Sequence, residues 1–131
     1  MDATHAILIC DDDEDTRAAL RRALRGHHVT EAATPAEALS ALRAACFDAV
    51  MSDFDYGDAG VDGLALLQAV RLQWPDTLRV LITGNADVSI AIRAVNGGAV
   101  DRYILKPWNS DTLRTSLDIA LHGRAPRAAA G

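Results

Sequence analysis

Lysine is almost missing from this chain: Lys106 is the single example, and arginine supplies the remaining side-chain positive charge. Glutamate is scarce as well, limited to Glu14, Glu31 and Glu37, so the acidic excess is aspartate. With 13 basic against 18 acidic side chains the net charge is −5, which lacks the basic footprint that nucleic acid or anionic lipid requires. Two cysteines, Cys10 and Cys46, stand at no CxxC or Cys/His spacing, which excludes a disulfide framework and a zinc site and fits a reduced, cytosolic chain. His5, His27, His28 and His122 are dispersed and indicate neither a metal cluster nor a phosphodonor histidine. No apolar run nears the roughly 18 residues of a membrane-spanning helix, and the first residues lack the basic-then-apolar layout of a leader. A glycine-rich nucleotide loop ending in Gly-Lys-Ser/Thr is absent too. Aromatic residues make up 5%, and Trp74 and Trp108 suit packing or interface positions better than base stacking.

What is present is enough apolar material, half of 131 residues, to build one domain around a real core. Five short apolar runs recur: Ala6–Cys10, the weaker His28–Ala32, Ala49–Met51, Val80–Ile82 and Tyr103–Leu105. Most show little polar alternation, as expected of strands buried on both faces of a parallel sheet. Between them, residues 14–25, 35–46, 63–73, 87–96 and 110–122 carry helical stripes: Leu20 and Leu24; Ala38, Leu39 and Leu42; Leu64, Leu67 and Val70; Val88, Ala91, Ile92 and Val95; Leu113, Leu117, Ala120 and Leu121. Thr34-Pro35-Ala36-Glu37 combines a capping box with proline at the first helical position, and Asn109 or Ser110 can cap the last helix. Gly26, Gly97 and Gly123 stand where left-handed helix ends are expected. Strand and helix alternate five times without an internal repeat, which predicts a parallel sheet covered by helices on both faces. The domain is expected over residues 5–122, with 123–131, rich in Ala, Arg, Gly and Pro, a tail or the start of a linker.

Ligands of open parallel sheets bind beyond the carboxyl ends of the strands. Those ends carry Asp11-Asp12-Asp13, Ser52-Asp53, Thr83-Gly84 and Lys106-Pro107. Each has a bland use: Asp13 or Asp15 can cap the next helix, Thr83 can be an ordinary strand end, Lys106 a solvated charge. Acids after strands one and three, a hydroxyl after strand four and the lone lysine after strand five are poorly explained by chance together. Crowded carboxylates attract a hard divalent cation, and magnesium takes oxygen ligands with room for phosphate oxygens. A carboxylate can also act as nucleophile toward phosphorus, with Lys106, Thr83 and backbone N–H groups stabilising the transferred group. The set predicts a Mg2+-dependent phosphoacceptor with Asp53 as nucleophile.

These motifs, in this order, resemble the receiver domain of bacterial two-component response regulators over roughly residues 5–122. The acidic pair matches Asp11 and Asp12, the phosphorylated aspartate Asp53, the Thr/Ser Thr83, the Lys-Pro Lys106-Pro107 and the switch aromatic Tyr103. The resemblance implies a flavodoxin-like, doubly wound five-stranded parallel sheet of order 2-1-3-4-5 with five helices. It further implies Mg2+ held by Asp11, Asp12, Asp53 and the backbone carbonyl of Asp55, and a cis bond before Pro107. The phosphoryl donor is then a histidine kinase, a phosphotransfer protein or a small phosphodonor. Thr83 and Tyr103 would couple phosphorylation to a protein-binding face of helix four, strand five and helix five that engages a downstream effector. Direct nucleic-acid or membrane binding is not implied, and a homodimer through the last helices is compatible. A free-standing receiver, a relay intermediate and the front of a larger regulator all fit.

Two departures stand out. The stretch from Asp53 to Asp62-Gly63 is two residues longer than the family's usual spacing and lacks its proline. Asp55 and Asn85 flank the expected path of a hydrolytic water and are read as tuning phosphate lifetime. Asp53-Phe54-Asp55 also looks like the nucleophile/acid pair of haloacid-dehalogenase-type Mg2+-dependent phosphohydrolases, although no acidic pair follows Lys106. A phosphorylation-silent interaction module is the remaining alternative.

Overall fold

The computed structural model describes residues 4–54, 63–84 and 87–124. Strands β1 (Ala6–Cys10), β2 (His28–Ala32), β3 (Ala49–Asp53), β4 (Leu78–Thr83) and β5 (Arg102–Leu105) alternate with α1 (Glu14–Ala23), α2 (Pro35–Ala44), α3 (Gly63–Gln73), α4 (Val88–Asn96) and α5 (Ser110–Leu121). All neighbouring strands pair in parallel, and the sheet order is β2-β1-β3-β4-β5, the expected doubly wound order.

The sheet separates two cores. Ile7, Ile9, Met51, Val80 and Ile82 face Leu20 of α1 and Leu113 and Leu117 of α5. Leu8, Val50 and Leu81 face the other way, toward Leu42 of α2, Leu67 of α3 and Ala91 of α4. This strict alternation explains why the central strands read as uninterrupted apolar runs: both faces are covered. Each fully buried Leu or Ile contributes up to about 3 kcal/mol of transfer free energy. At the sheet edge β2 is mostly exposed, which accounts for its weaker apolar signal.

Local signals resolve as follows. Thr34 Oγ1 accepts from the Glu37 amide at 3.1 Å, while the Glu37 carboxylate accepts from the amide of Ala33 at 2.9 Å, so the capping box reaches one residue further back. Asn109, rather than Ser110, caps α5 by accepting from the amides of Asp111 and Thr112. The left-handed residue after α4 is Gly98 (φ +83°), not Gly97, which stays right-handed because its amide still bonds to the Arg93 carbonyl. Ile92 was expected on the sheet-facing stripe but is 44% exposed; α4 buries Ala91 and Ala94 instead, covering the short β5 side with small residues.

The amino end of the sheet is tied to the chain beyond α5. The buried His5 meets His27 because β1 and β2 start side by side, and its amide donates to His27 Nδ1 at 3.0 Å. That leaves Nε2 of His27 as the donor to Asp118, 3.4 Å away. His5 Nε2 lies 3.1 Å from the Arg124 carbonyl, and Arg124 donates to the Asp76 carbonyl at 3.2 Å. Trp74 and Trp108 pack against the two cores, one each, as their sequence reading anticipated.

Candidate functional site

In-step register brings the site together. Cys10 pairs with Ser52, Asp53 with Ile82, and Thr83 with Leu105, so the residues leaving these strands emerge on one rim. Asp53 and Thr83 are the last residues of longer strands than the apolar runs indicated, since both still pair with a neighbour. Carboxylate oxygens of Asp11, Asp12 and Asp53 all lie within 4.8 Å of one another. Lys106 Nζ is 2.5 Å from Asp53 Oδ1, and the Lys106 amide donates to the Thr83 carbonyl at 2.8 Å. The Lys106–Pro107 bond is cis, as expected. Asp13 stands apart from this set as the cap of α1, accepting from the amide and the hydroxyl of Thr16, which hold its carboxyl below the ordinary range.

Asp11 is 1% exposed. Its Oδ1 accepts from the Asp13 amide at 2.8 Å, but Oδ2 has no hydrogen-bond partner among the described residues. Burial raises its carboxyl from 3.8 to about 6; the negative charges of Asp53 and Asp12 push the same way, and the Asp13 amide and Lys106 oppose it. A buried, unpartnered carboxylate oxygen beside two more carboxylates is a donor set suited to a hard divalent cation. The same shift fixes a pH dependence. Between about pH 4 and 6 the folded chain holds a proton that the unfolded chain has released, so cation-free stability falls as pH rises through that window. The loss from this group is at most about 3 kcal/mol and is complete above the folded value. Urea midpoints in EDTA at pH 4, 5, 6 and 7.5 are expected to show this component in the parent and not in Asp11→Asn. Added Mg2+ is expected to stabilise the parent more at pH 7.5 than at pH 5.

Gly63, the first residue of α3, sits against the backbone at the end of β3, and its amide donates to the Phe54 carbonyl at 2.7 Å. A Cβ at position 63 would lie 1.7 Å from the Asp53 carbonyl oxygen and 2.7 Å from Ser52 Oγ. Backbone cannot yield as a flexible side chain does, so Gly63→Ala is expected to destabilise by about 3 kcal/mol, read as a lower urea midpoint.

Thr83 is buried, and Tyr103, on β5, is 37% exposed. Asp55 and Asn85, expected as a carbonyl ligand and as tuning residues, lie outside the described residues, as does the two-residue insertion. Sequence reading missed Arg17: its guanidinium donates to the Asp11 carbonyl at 2.7 Å. Among the described residues no helix is long and apolar enough to cross a membrane.

Residues 7–118 match the sequence profile of the response regulator receiver domain family. The chain is 36% identical over 115 residues to the C4-dicarboxylate transport transcriptional regulatory protein DctD of Rhizobium meliloti, a match covering 86% of this chain and 24% of that protein. It is 33% identical over 109 residues to a putative NtrX-like response regulator of Rickettsia bellii, covering 82% and 23%. The chain thus spans about a quarter of the length of these curated relatives. The crystal structure of the receiver domain of NtrX from Brucella abortus superposes with a TM-score of 0.83 at 30% identity, covering 89% of this chain and 98% of that one. The signal receiver domain of an HD domain-containing protein from Pseudomonas fluorescens Pf-5 gives 0.81 at 30% identity, covering 91% and 95%. These matches lend no support to the dehalogenase-type hydrolase.

Proposed function

The chain belongs to the response regulator receiver domain family, and from that premise we propose that Asp53 is its phosphoacceptor and that the folded unit, residues 5–122, is a phosphorylation-controlled switch in the cytosol. The observation carrying this reading is the rim itself: three carboxylates within 4.8 Å and the chain's only lysine on one of them. In the proposed step an Asp53 carboxylate oxygen attacks phosphorus, the donor's bond to phosphorus breaks, and an aspartyl phosphate forms. Asp11, Asp12 and Asp53 would hold Mg2+, whose contribution is to neutralise charge on the transferring phosphoryl oxygens. Lys106 offers its ammonium to the same oxygens, and Thr83 offers its hydroxyl.

The donor is a histidine kinase, a phosphotransfer protein or a small acyl phosphate. The acyl phosphate carries about −1.5 to −2 charges where the carboxylate carried one, so the rim gains about one negative charge and three strong acceptor oxygens. Thr83 would turn toward it, and Tyr103, half out of the β5 surface, would move into the space released. This shifts a two-state equilibrium at the face of α4, β5 and α5, where an effector docks. The longer relatives support an effector carried by, or recruited to, a larger regulator.

The test is the intact mass after incubation with acetyl phosphate and Mg2+. The expected result is one phosphoryl group per chain, on the peptide containing Asp53, and none when EDTA replaces Mg2+. No mass gain would overturn the reading. So would continuous phosphate release from an excess of a phosphate monoester, which marks a turnover enzyme.

A further inference from the structure

We propose that Arg17 is a positioning residue for the acidic rim, fixing the Asp11–Asp12 peptide and through it the Asp12 carboxylate; this rests on the reading of the rim as a Mg2+-dependent phosphoacceptor. Arg17 lies in the first turn of α1, its amide bonded to the Asp13 carbonyl at 3.0 Å. Its side chain is 16% exposed, well below the surface arginines beside it. One end of the guanidinium, Nη1, donates to the Asp11 carbonyl at 2.7 Å. The other edge, Nε, lies 3.4 Å from Glu31 Oε1 on β2, and the second Glu31 oxygen pairs with Arg21.

Arg17 is therefore a strut from β2 to the first peptide beyond β1. Asp11 is already held by its amide, which donates to Ala32 at 3.1 Å, and by Oδ1, which accepts from the Asp13 amide. The Arg17 contact adds the carbonyl, and a planar peptide held at its oxygen also fixes the direction of the next residue. That next residue, Asp12, is the exposed member of the carboxylate trio. Its side chain reaches the others from the surface, so its place in the trio depends on the backbone that carries it. The influence is geometric: Arg17 touches a carbonyl rather than a rim carboxylate, and Glu31 balances its charge. The fork of the guanidinium presents Nη1 to the Asp11 carbonyl and Nε to the carboxylate on β2 along fixed directions, an arrangement that the compact ammonium on a different stem does not reproduce.

The test compares Arg17→Met, Arg17→Lys and Glu31→Gln with the parent. Mg2+ affinity is measured by calorimetry, and labelling by acetyl phosphate at saturating Mg2+. Removing a partner that orients ligands typically weakens metal binding by about 10–100-fold, so Arg17→Met and Arg17→Lys are both expected to lose about tenfold in Mg2+ affinity. Glu31→Gln is expected to lose less, about threefold, since the carbonyl contact remains. At saturating Mg2+ each variant still reaches one phosphoryl group per chain. Parent-like Mg2+ affinity in a folded Arg17→Lys overturns the proposal, because charge alone then suffices. Should Arg17→Met fail to fold, the Lys and Gln variants decide alone. A parent that binds Mg2+ with this dependence yet takes no phosphoryl group overturns the phosphoacceptor reading and leaves the strut standing.

Discussion

An Asp53→Asn chain is expected to keep its fold and take up no phosphoryl group from acetyl phosphate at any Mg2+ concentration. The side chains are nearly the same size and position 53 is 6% exposed, so packing is little disturbed, but the amide oxygen is a far weaker nucleophile. Removing one of three clustered carboxylates also removes a charge that a cation would neutralise, so Mg2+ affinity should drop about tenfold or more. Intact mass reads the first effect and calorimetry the second. Labelling that persists in Asp53→Asn would mean another rim carboxylate is the acceptor.

Lys106→Ala should split these two readouts in opposite directions. The ammonium sits 2.5 Å from Asp53 Oδ1 and is a third exposed, a position from which it can follow charge onto the transferred group. Loss of one such preorganised charge typically costs 10²–10³-fold in rate, and the labelling rate at saturating Mg2+ should fall by about that factor. Mg2+ affinity should instead rise, by about tenfold, because the carboxylates lose the competing cation that, among the described residues, is in contact with them. Circular dichroism spectra matching the parent would separate both effects from unfolding. A variant in which rate and affinity fall together would indicate that Lys106 organises the rim rather than stabilising transferred charge.

The layered architecture could be read from the chain because its signals are local. Apolar runs covered on both faces, Thr34 and Asn109 at helix starts, and the order of Asp11, Asp53, Thr83 and Lys106 all survive without knowing any long-range contact. What escaped depends on contacts between distant segments. Nothing marks Arg17 among the arginines of α1, since its partner is a backbone carbonyl and its carboxylate lies on another strand. The four histidines look scattered along the sequence, but parallel pairing sets His5 against His27. Ile92 fits the helical stripe by spacing and is exposed by position, because periodicity gives a face but not the width of what covers it. Gly63 was visible as part of Asp-Gly; the reason a side chain is forbidden there, the Asp53 carbonyl, was not.

The hydrogen bond from the Gly63 amide to the Phe54 carbonyl has a consequence for how this chain tolerates changes in length. It staples together the two ends of a connection, so residues added between those anchors need not disturb either β3 or the entry to α3. Deleting one residue inside a strand is another matter: it would carry the terminal group back about 3.3 Å and turn it to the opposite side of the sheet. Changes in length are therefore expected to be borne more readily between positions 55 and 63 than between Ala6 and Cys10, Ala49 and Asp53, or Leu78 and Thr83. The extra pair of residues in this chain falls in the permissive interval.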